Sequence, residues 1–403
     1  MPSKFDTAWV LPVVMTAFSR RRLEVAEAFR SVFYPESVAL IGVSESSKKM
    51  GHHVLKSFLS SGFKGKVYPV NPKGGSLLGM KVYASVKAIP DKIDLAVIAV
   101  PPEVVIEAIR DCARKGAKGA VVITAGFREA QLEKGEKLHH RLAESAARER
   151  IRVIGPNTFG LVNLDADLNA SFTPAFSKLR KGPVSLVSQS GGVCHLIMPY
   201  ALREGIGVNK VIGLGNRVNT DFADILYYLA SDEGTRSVAL YVEGIDNPKD
   251  MMKAIKEVGR VKPIVAYKGG GFRKADEAAR SHTGSLAGRY DLYISAFKQF
   301  GAIVAHSLVE LISCAKALAF QPPPRGRRVA VVSLVAGLGM ISADSCERKG
   351  LVLAEFTAKT RQKLFRLMPA YTIRTNPVDL GYIANNTDLC GDCLLYTSPS
   401  PRD

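Results

Sequence analysis

The chain predicts an α/β protein in which open, doubly wound parallel sheets follow one another along 403 residues. Three observations carry that prediction. Short β-branched runs alternate with helical stretches through a glycine-punctuated first half, the pattern of strand–turn–helix repeats. A second set of such runs follows from residue 184. A proline-rich segment, Gln321-Pro322-Pro323-Pro324-Arg325-Gly326, then separates these from the start of a third set, as a stiff linker would.

Taken in order, residues 1–23 form an extension with a short apolar patch followed by Arg20-Arg21-Arg22. The charges follow the patch, the reverse of a secretory signal, so the stretch is expected to be a disordered extension or a start placed too early. The first domain, 24–165, carries strands at Ser37–Ile41, Lys66–Val70, 95–100, 120–124 and Arg152–Ile154, with helices over 104–115 and 136–148. The second domain, 176–320, has strands at 184–187, 211–214, 238–242 and 264–267. A third α/β unit opens at 329–334 within 328–388, which is too short for a complete domain of this kind. Residues 389–403 (LCGDCLLYTSPSPRD) lose all periodicity and read as non-native sequence appended to a truncated chain, or as a disordered tail. Their Cys-x-x-Cys is set aside with them.

Composition narrows the function classes. Hydrophobic content of 47% and charged content of 23% are those of a soluble globular protein. No apolar run reaches the ~20 residues that span a bilayer. The cysteines at 112, 194, 314 and 346 fit no metal-ligand spacing and read as reduced core thiols of a cytoplasmic protein; no metal site is expected. The net charge of +18 suits anionic partners. The basic residues are scattered without interleaved aromatics, which places nucleic acid behind a phosphate-rich small molecule.

Five turns carry candidate chemistry in the first domain. Gly42 and Ser44, in Ile41-Gly42-Val43-Ser44, follow the first strand and bring backbone amides to a helix start, where phosphate binds. The spacing is not a regular G-x-G-x-x-G. After the second strand, where an NAD enzyme needs an acidic residue, the chain has Asn71-Pro72-Lys73. Lys73 suits a phosphorylated ribose, as in NADP or coenzyme A, or is a plain turn lysine. Pro101 and Gly126 stand at the ends of the third and fourth strands, and Asn157 lies in Gly155-Pro156-Asn157. Each is ordinary turn chemistry taken singly.

In the second domain Ser188-Gln189-Ser190-Gly191-Gly192 links a strand to an apolar helix. Its free N–H groups and hydroxyls suit a phosphoryl group, or Ser190 is an N-cap beside a packing glycine. Glu243 ends a strand, where its carboxylate could orient an imidazole or simply be solvated; Asn216 is a further candidate. His282 lies in the small-residue run Ser281-His282-Thr283-Gly284-Ser285, a setting suited to an imidazole that carries an anionic group.

Together and in this order, Ser37–Ile41 with Gly42, the turn after Tyr68 to Gly75, Gly155-Pro156-Asn157, Ser188 to Gly192, Ser281 to Gly288 and Asn376-Pro377-Val378-Asp379-Leu380 resemble the alpha part of the NDP-forming acyl-CoA synthetases. That superfamily includes succinyl-CoA synthetase, and the similarity is nearest to the ADP-forming acetate–CoA ligase branch. The resemblance implies a Rossmann-like CoA-binding domain followed by flavodoxin-like ligase domains. It implies an acid–thiol ligase interconverting acyl-CoA, ADP and phosphate with a carboxylic acid, CoA and ATP through an acyl phosphate. By resemblance His282 is the phosphohistidine, Glu243 its orienting carboxylate, and Ser188, Gln189, Ser190, Gly191 and Gly192 the phosphate site. Coenzyme A would lie on Gly42, Ser44, Asn71, Lys73, Pro101, Gly126 and Asn157. ADP or ATP with Mg would belong to an ATP-grasp subunit or domain, giving a hetero-oligomer. The chain departs from the family at Thr158 (usually cysteine), Gly269 (usually serine), the 218–221 loop and the 334–339 loop, which bears on substrate range and turnover. Two other readings remain: a CoA-binding regulatory module such as the synthetase-like half of a protein acetyltransferase, and an NADP oxidoreductase.

Overall fold

The structure, a computed structural model, describes residues 27–130, 132–270, 290–322, 324 and 326–381. His282 and the 281–288 run lie outside the described residues, as do the 1–23 extension and the 389–403 tail. The chain divides into two compact units, Met1–Gln321 and Pro322–Asp403.

The first unit opens with a helical turn, α1 (Arg30–Phe33), then β1 (Ser37–Ile41), α2 (Met50–Ser61), β2 (Lys66–Val70), a hairpin of β3 (Gly75–Leu77) and β4 (Met80–Val82), β5 (Leu95–Ile98), α3 (Pro102–Arg114), β6 (Gly119–Val122), α4 (Glu133–Arg148) and β7 (Arg152–Ile154). The sheet runs β2-β1-β5-β6-β7 and is parallel throughout. Its strands are fully buried runs such as Ser37–Ile41 and Leu95–Ile98, as expected where helices cover both faces. Helix α3 starts with Pro102 in its first turn, where a missing N–H costs nothing, and buries Val105, Ile109 and Cys112 at helical spacing. Burial pushes the Cys112 thiol up to about 12, so it packs as a hydrophobe.

A second, seven-stranded sheet is built from β8 (Gly160–Asn163), β9 (Leu168–Ser171), β10 (Lys181–Ser188), α5 (Gly191–Arg203), β11 (Val208–Gly213), α6 (Phe222–Ser231), β12 (Ser237–Val242), α7 (Pro248–Val258), β13 (Ile264–Lys268), α8 (Tyr290–Phe300), β14 (Ile303–Val304) and α9 (Leu308–Phe320). Its order is β14-β13-β12-β10-β11-β8-β9. Helix α6 starts in a reciprocal capping box between Asp221 and Asp224, worth about 1 kcal/mol.

One expectation changes here. The first domain was expected to close at 165, yet that boundary falls inside the β8–β9 hairpin, both of whose strands belong to the second sheet. β8 pairs antiparallel with β11, adding an antiparallel edge to the parallel sheet that was expected. The physical reason is length: two four-residue strands joined by a four-residue turn give too short a run to show a period against their apolar surroundings.

In both sheets the chain leaves in opposite directions from one central strand. β1 is followed outward by β2 and then, on its other side, by β5; β10 is followed by β11 and then, on its other side, by β12. The crevice beyond the carboxyl ends of such a strand pair is where open α/β sheets bind ligands. The second unit contains β15 (Arg328–Val329), β16 (Val332–Ser333), α10 (Ala336–Arg348), β17 (Val352–Leu353), α11 (Ala358–Leu367) and β18 (Val378–Asp379), paired β15–β17 and β16–β18, around Leu364, Met368, Val378 and Leu380. Among the described residues no helix is long and apolar enough to cross a membrane, and no cluster of His, Cys, Asp and Glu is suited to a metal ion.

On α4, His139 is held down to about 4 from 6.5, first by burial and then by Arg128, and its Nδ1 has no hydrogen-bond partner among the described residues. The folded chain therefore refuses a proton that the unfolded chain accepts. Its contribution is intact above pH 6.5 and is lost as the pH falls towards about 4. His139→Phe should flatten the fall of the melting temperature across that window; an unchanged slope would remove His139 as its cause.

Candidate functional site

The turn after β1 begins at Gly42, whose φ of 93° is in the left-handed region. A Cβ there would lie 2.4 Å from the Ala99 carbonyl oxygen, in the turn after β5. Nine residues on, a Cβ at Gly51 would lie 1.9 Å from the Gly42 carbonyl oxygen. The first turn of α2 thus sits directly on the turn after β1. The irregular spacing of this loop still delivers the two properties a phosphate-binding turn needs, a glycine at the turn and a glycine where helix meets strand.

Beyond these carboxyl ends lies a cavity of about 970 Å³. Gly42, Ser44, Asn71 and Pro101 line it from the first sheet, Asn157 from the connection, and Gln189, Ser190, Gly191 and Gly192 from the second. A smaller cavity of about 320 Å³ shares Ser44, Lys49 and Asn71 with it and adds Lys73 and Gly74. Most of the sequence-expected residues are thereby brought together, over two sheets of one unit.

The individual roles differ. Asn71 donates from Nδ2 to the Val43 carbonyl (2.8 Å) and accepts the Lys73 N–H at Oδ1 (3.0 Å), so it ties the two first-domain turns to each other. Lys73 is exposed at the rim. Gly126 sits behind the cavity wall, which Ala125 lines. Its N–H is already donated to Glu129 Oε1 at 2.5 Å, so it backs the wall. Ser188 also stands behind the cavity. Its hydroxyl is fully buried and is spent inside the turn, donating to the Ser190 carbonyl (2.8 Å) and accepting the Ser190 N–H (3.2 Å). It shapes the loop without lining the cavity.

Helix α5 begins at Gly191, and the side chain of its N-cap, Ser190, makes no capping bond. The N–H groups of the first turn lack intrahelical partners and carry the positive end of the helix dipole. Among the described residues a Cβ at Gly192 would meet only Ser190 Oγ, 3.8 Å away, so the helix start is open with respect to them. This geometry takes an anion.

Glu243 follows β12, across the switch point from that helix start. Gln189 Oε1 accepts the N–H groups of Glu243 (2.9 Å) and Gly244 (3.0 Å). Arg217 donates to the Gly244 carbonyl (2.6 Å) and to Asp246 (2.7 Å), which Arg128 also reaches (3.0 Å). Burial raises the Asp246 carboxyl, but Arg217 and Arg128 outweigh it and hold it below its ordinary value. The backbone carrying Glu243 is therefore clamped from both sides. The Tyr241 phenol is raised above its ordinary value, first by burial and then by Glu243.

Three features were not foreseen. His195, one turn into α5, lines the cavity with Phe172; its Nδ1 meets the Gly191 carbonyl and its Nε2 the Thr173 hydroxyl, each at 2.8 Å. A carbonyl only accepts, so Nδ1 carries a proton. A histidine four residues after Gly191 was the available signal; Phe172 and Thr173 follow the overlooked β9 and had none. Glu129 also reaches into this region. Of the departures, Thr158 is buried and donates to the Gly213 carbonyl (2.7 Å), and a Cβ at Gly269 would lie 2.6 Å from the Tyr241 hydroxyl oxygen, space that a serine would need.

Comparison with known proteins follows this division. Residues 36–163 match the family described as CoA binding domain, and residues 181–318 the family described as succinyl-CoA ligase like flavodoxin domain. Over 356 residues the chain is 41% identical to acetate–CoA ligase (ADP-forming) II subunit alpha of Pyrococcus furiosus, covering 88% of this chain and 77% of that protein. It is 40% identical to acetate–CoA ligase (ADP-forming) I of Archaeoglobus fulgidus over 87% of this chain and 50% of that one. A solved structure of the dinucleotide-forming acetyl-coenzyme A synthetase 1 of Ca. Korarchaeum cryptofilum, in complex with phosphate and ADP, superposes with a TM-score of 0.82 at 36% identity, covering 88% of this chain and 76% of that chain. Two sheets with facing switch points and this agreement along the chain place it: the protein belongs to the ADP-forming acetate–CoA ligase family, on its alpha-subunit side.

Proposed function

We propose that this chain is the CoA- and phosphate-handling part of an ADP-forming acyl-CoA synthetase, interconverting acyl-CoA, ADP and phosphate with a carboxylic acid, CoA and ATP. The observation that carries the reading is the single cavity joining the glycine turn after β1 to the uncapped start of α5. The residues fit both ligands. Two glycine-backed turns and the lysines Lys49 and Lys73 suit the phosphates of CoA, and the open helix start suits inorganic phosphate.

In the forward direction a phosphate oxygen attacks the thioester carbonyl; the C–S bond breaks and CoA leaves as thiolate, to be protonated. The helix start holds the phosphate and stabilises the charge that develops beside it. The acyl phosphate then gives its phosphoryl group to a nitrogen of His282, releasing the carboxylate. Glu243 orients that imidazole and favours the cation formed. An ADP oxygen finally takes the phosphoryl group from His282. That last stage is assigned to an ATP-grasp subunit or domain, as the subunit-alpha name of the Pyrococcus furiosus relative supports; the assembly would be a hetero-oligomer. The free thiols at Cys112, Cys194 and Cys346 support a reducing, cytoplasmic compartment.

The test is incorporation of radiolabelled phosphate. With acetyl-CoA and an ATP-grasp partner, the chain should acquire acid-labile, alkali-stable label that ADP discharges as ATP. No label on folded, CoA-binding chain would overturn the reading.

A further inference from the structure

Glu129 lies in the turn between β6 and α4, and its two carboxylate oxygens tie that turn to the loop after β11. Its Oε1 accepts the N–H groups of Gly126 (2.5 Å) and Phe127 (3.2 Å). Its Oε2 accepts from Nδ2 of Asn216, in the loop after β11. Asn216 is almost fully buried, at 1% exposure, and its Oδ1 accepts from Nδ2 of Asn157 at 3.4 Å. Asn157 lines the cavity, and its N–H is bonded to the Thr124 carbonyl (2.9 Å).

The direction of this chain of bonds is fixed by chemistry. An ionised carboxylate only accepts, so Asn216 must turn its NH2 to Glu129 and its oxygen to Asn157. Asn157 must then turn its own NH2 to Asn216. That leaves Asn157 Oδ1, which has no hydrogen-bond partner among the described residues, as an acceptor at the cavity wall. We infer that Glu129 and Asn216 are positioning residues that set the Asn157 amide to accept a hydrogen bond from CoA, either from an amide N–H of its pantetheine arm or from its thiol. The inference rests on the proposed function. It assigns a task to Glu129 and Asn216 that neither sequence nor family membership supplied: a carboxylate in the first sheet's turn dictates, through two amides, what a residue between the sheets offers the substrate.

The consequence is a reversible polarity. In Glu129→Gln the new amide must still present its oxygen to the Gly126 and Phe127 N–H groups, so its NH2 faces the NH2 of Asn216. Asn216 flips to relieve this and then presents its NH2 to that of Asn157, which flips in turn and offers a donor to the cavity. Adding Asn216→Asp repairs the chain. The carboxylate introduced at position 216 accepts from the amide introduced at position 129 on one side and from Asn157 on the other, so Asn157 regains its native direction.

The experiment measures CoA and acetyl-CoA binding to the whole chain by titration calorimetry, with a melting curve for each variant. Glu129→Gln should weaken CoA about tenfold, the size of one hydrogen bond turned from favourable to unfavourable. The double variant should return to within about threefold of the original protein. Asn216→Leu, which keeps volume and removes both bonds, should match the single variant and carries the test should Glu129→Gln not fold. Equal losses for CoA and acetyl-CoA assign the amide N–H; a loss confined to CoA assigns the thiol. Folded single variants that bind CoA unchanged, or a double variant weaker than both single ones, would overturn the relay while leaving the CoA reading intact. An original chain that does not bind CoA would overturn both.

Discussion

His282→Asn is expected to erase the phosphate label and to lower ATP formation by at least about 10³-fold, the scale on which loss of a covalent nucleophile acts. Asparagine keeps polarity and approximate reach but has no nitrogen lone pair able to take a phosphoryl group. CoA binding should be unchanged, because the turns expected to hold CoA follow β1, β2 and β5, and the phosphoryl carrier acts after CoA has left. Glu243→Gln should act on the same step by a smaller factor, about 10²-fold, since it removes the orienting charge but leaves the imidazole. The backbone around Glu243 is clamped by Gln189 and Arg217, so the substitution should leave the loop in place and the melting temperature nearly so. Rapid-quench measurement of labelled protein separates the two variants: none for the first, slow but complete labelling for the second. Equal label in His282→Asn would assign the phosphoryl carrier elsewhere.

Gly51→Ala is expected to cost about 1–3 kcal/mol of stability and to weaken CoA at least tenfold. The added Cβ would stand 1.9 Å from the Gly42 carbonyl oxygen. The obstacle is backbone, so no rotamer relieves it, and α2 must retreat from the turn it supports. Gly192→Ala provides the contrast. Among the described residues its Cβ meets nothing nearer than 3.8 Å, and alanine favours the helix. The fold should survive while the KM for phosphate rises about tenfold, because the methyl group stands in the open helix start. Melting temperature and phosphate KM together decide. A stable Gly51→Ala that binds CoA normally would show that α2 has freedom the packing denies it, and would remove the first turn from the site.

The strands of the first sheet were legible because each is a short β-branched run bounded by glycine or proline, and Ser37–Ile41, Lys66–Val70 and Arg152–Ile154 fall where expected. The site turns were legible because phosphate binding needs glycine and small polar residues between a strand and a helix, and the chain writes these as Gly42-Val43-Ser44 and Ser190-Gly191-Gly192. Gly126 and Ser188 stand behind the cavity for one reason. Composition shows that a turn can offer an N–H or a hydroxyl, but not that Glu129 or the Ser190 backbone has already taken it. His195 carried a signal, its place four residues after Gly191, while Phe172 and Glu129 were invisible because their place in the site depends on elements far apart in sequence.

By itself, then, the sequence determined the alternation of strands and helices, the glycine turns at their carboxyl ends and the chemistry those turns can support, since these are local properties of composition and spacing. Only the tertiary structure decided that the β8–β9 hairpin joins the second sheet, that two switch points open into one cavity, and which polar groups there are already paired. Those depend on which distant atoms meet, and a hydrogen bond formed inside the fold is one a substrate cannot use.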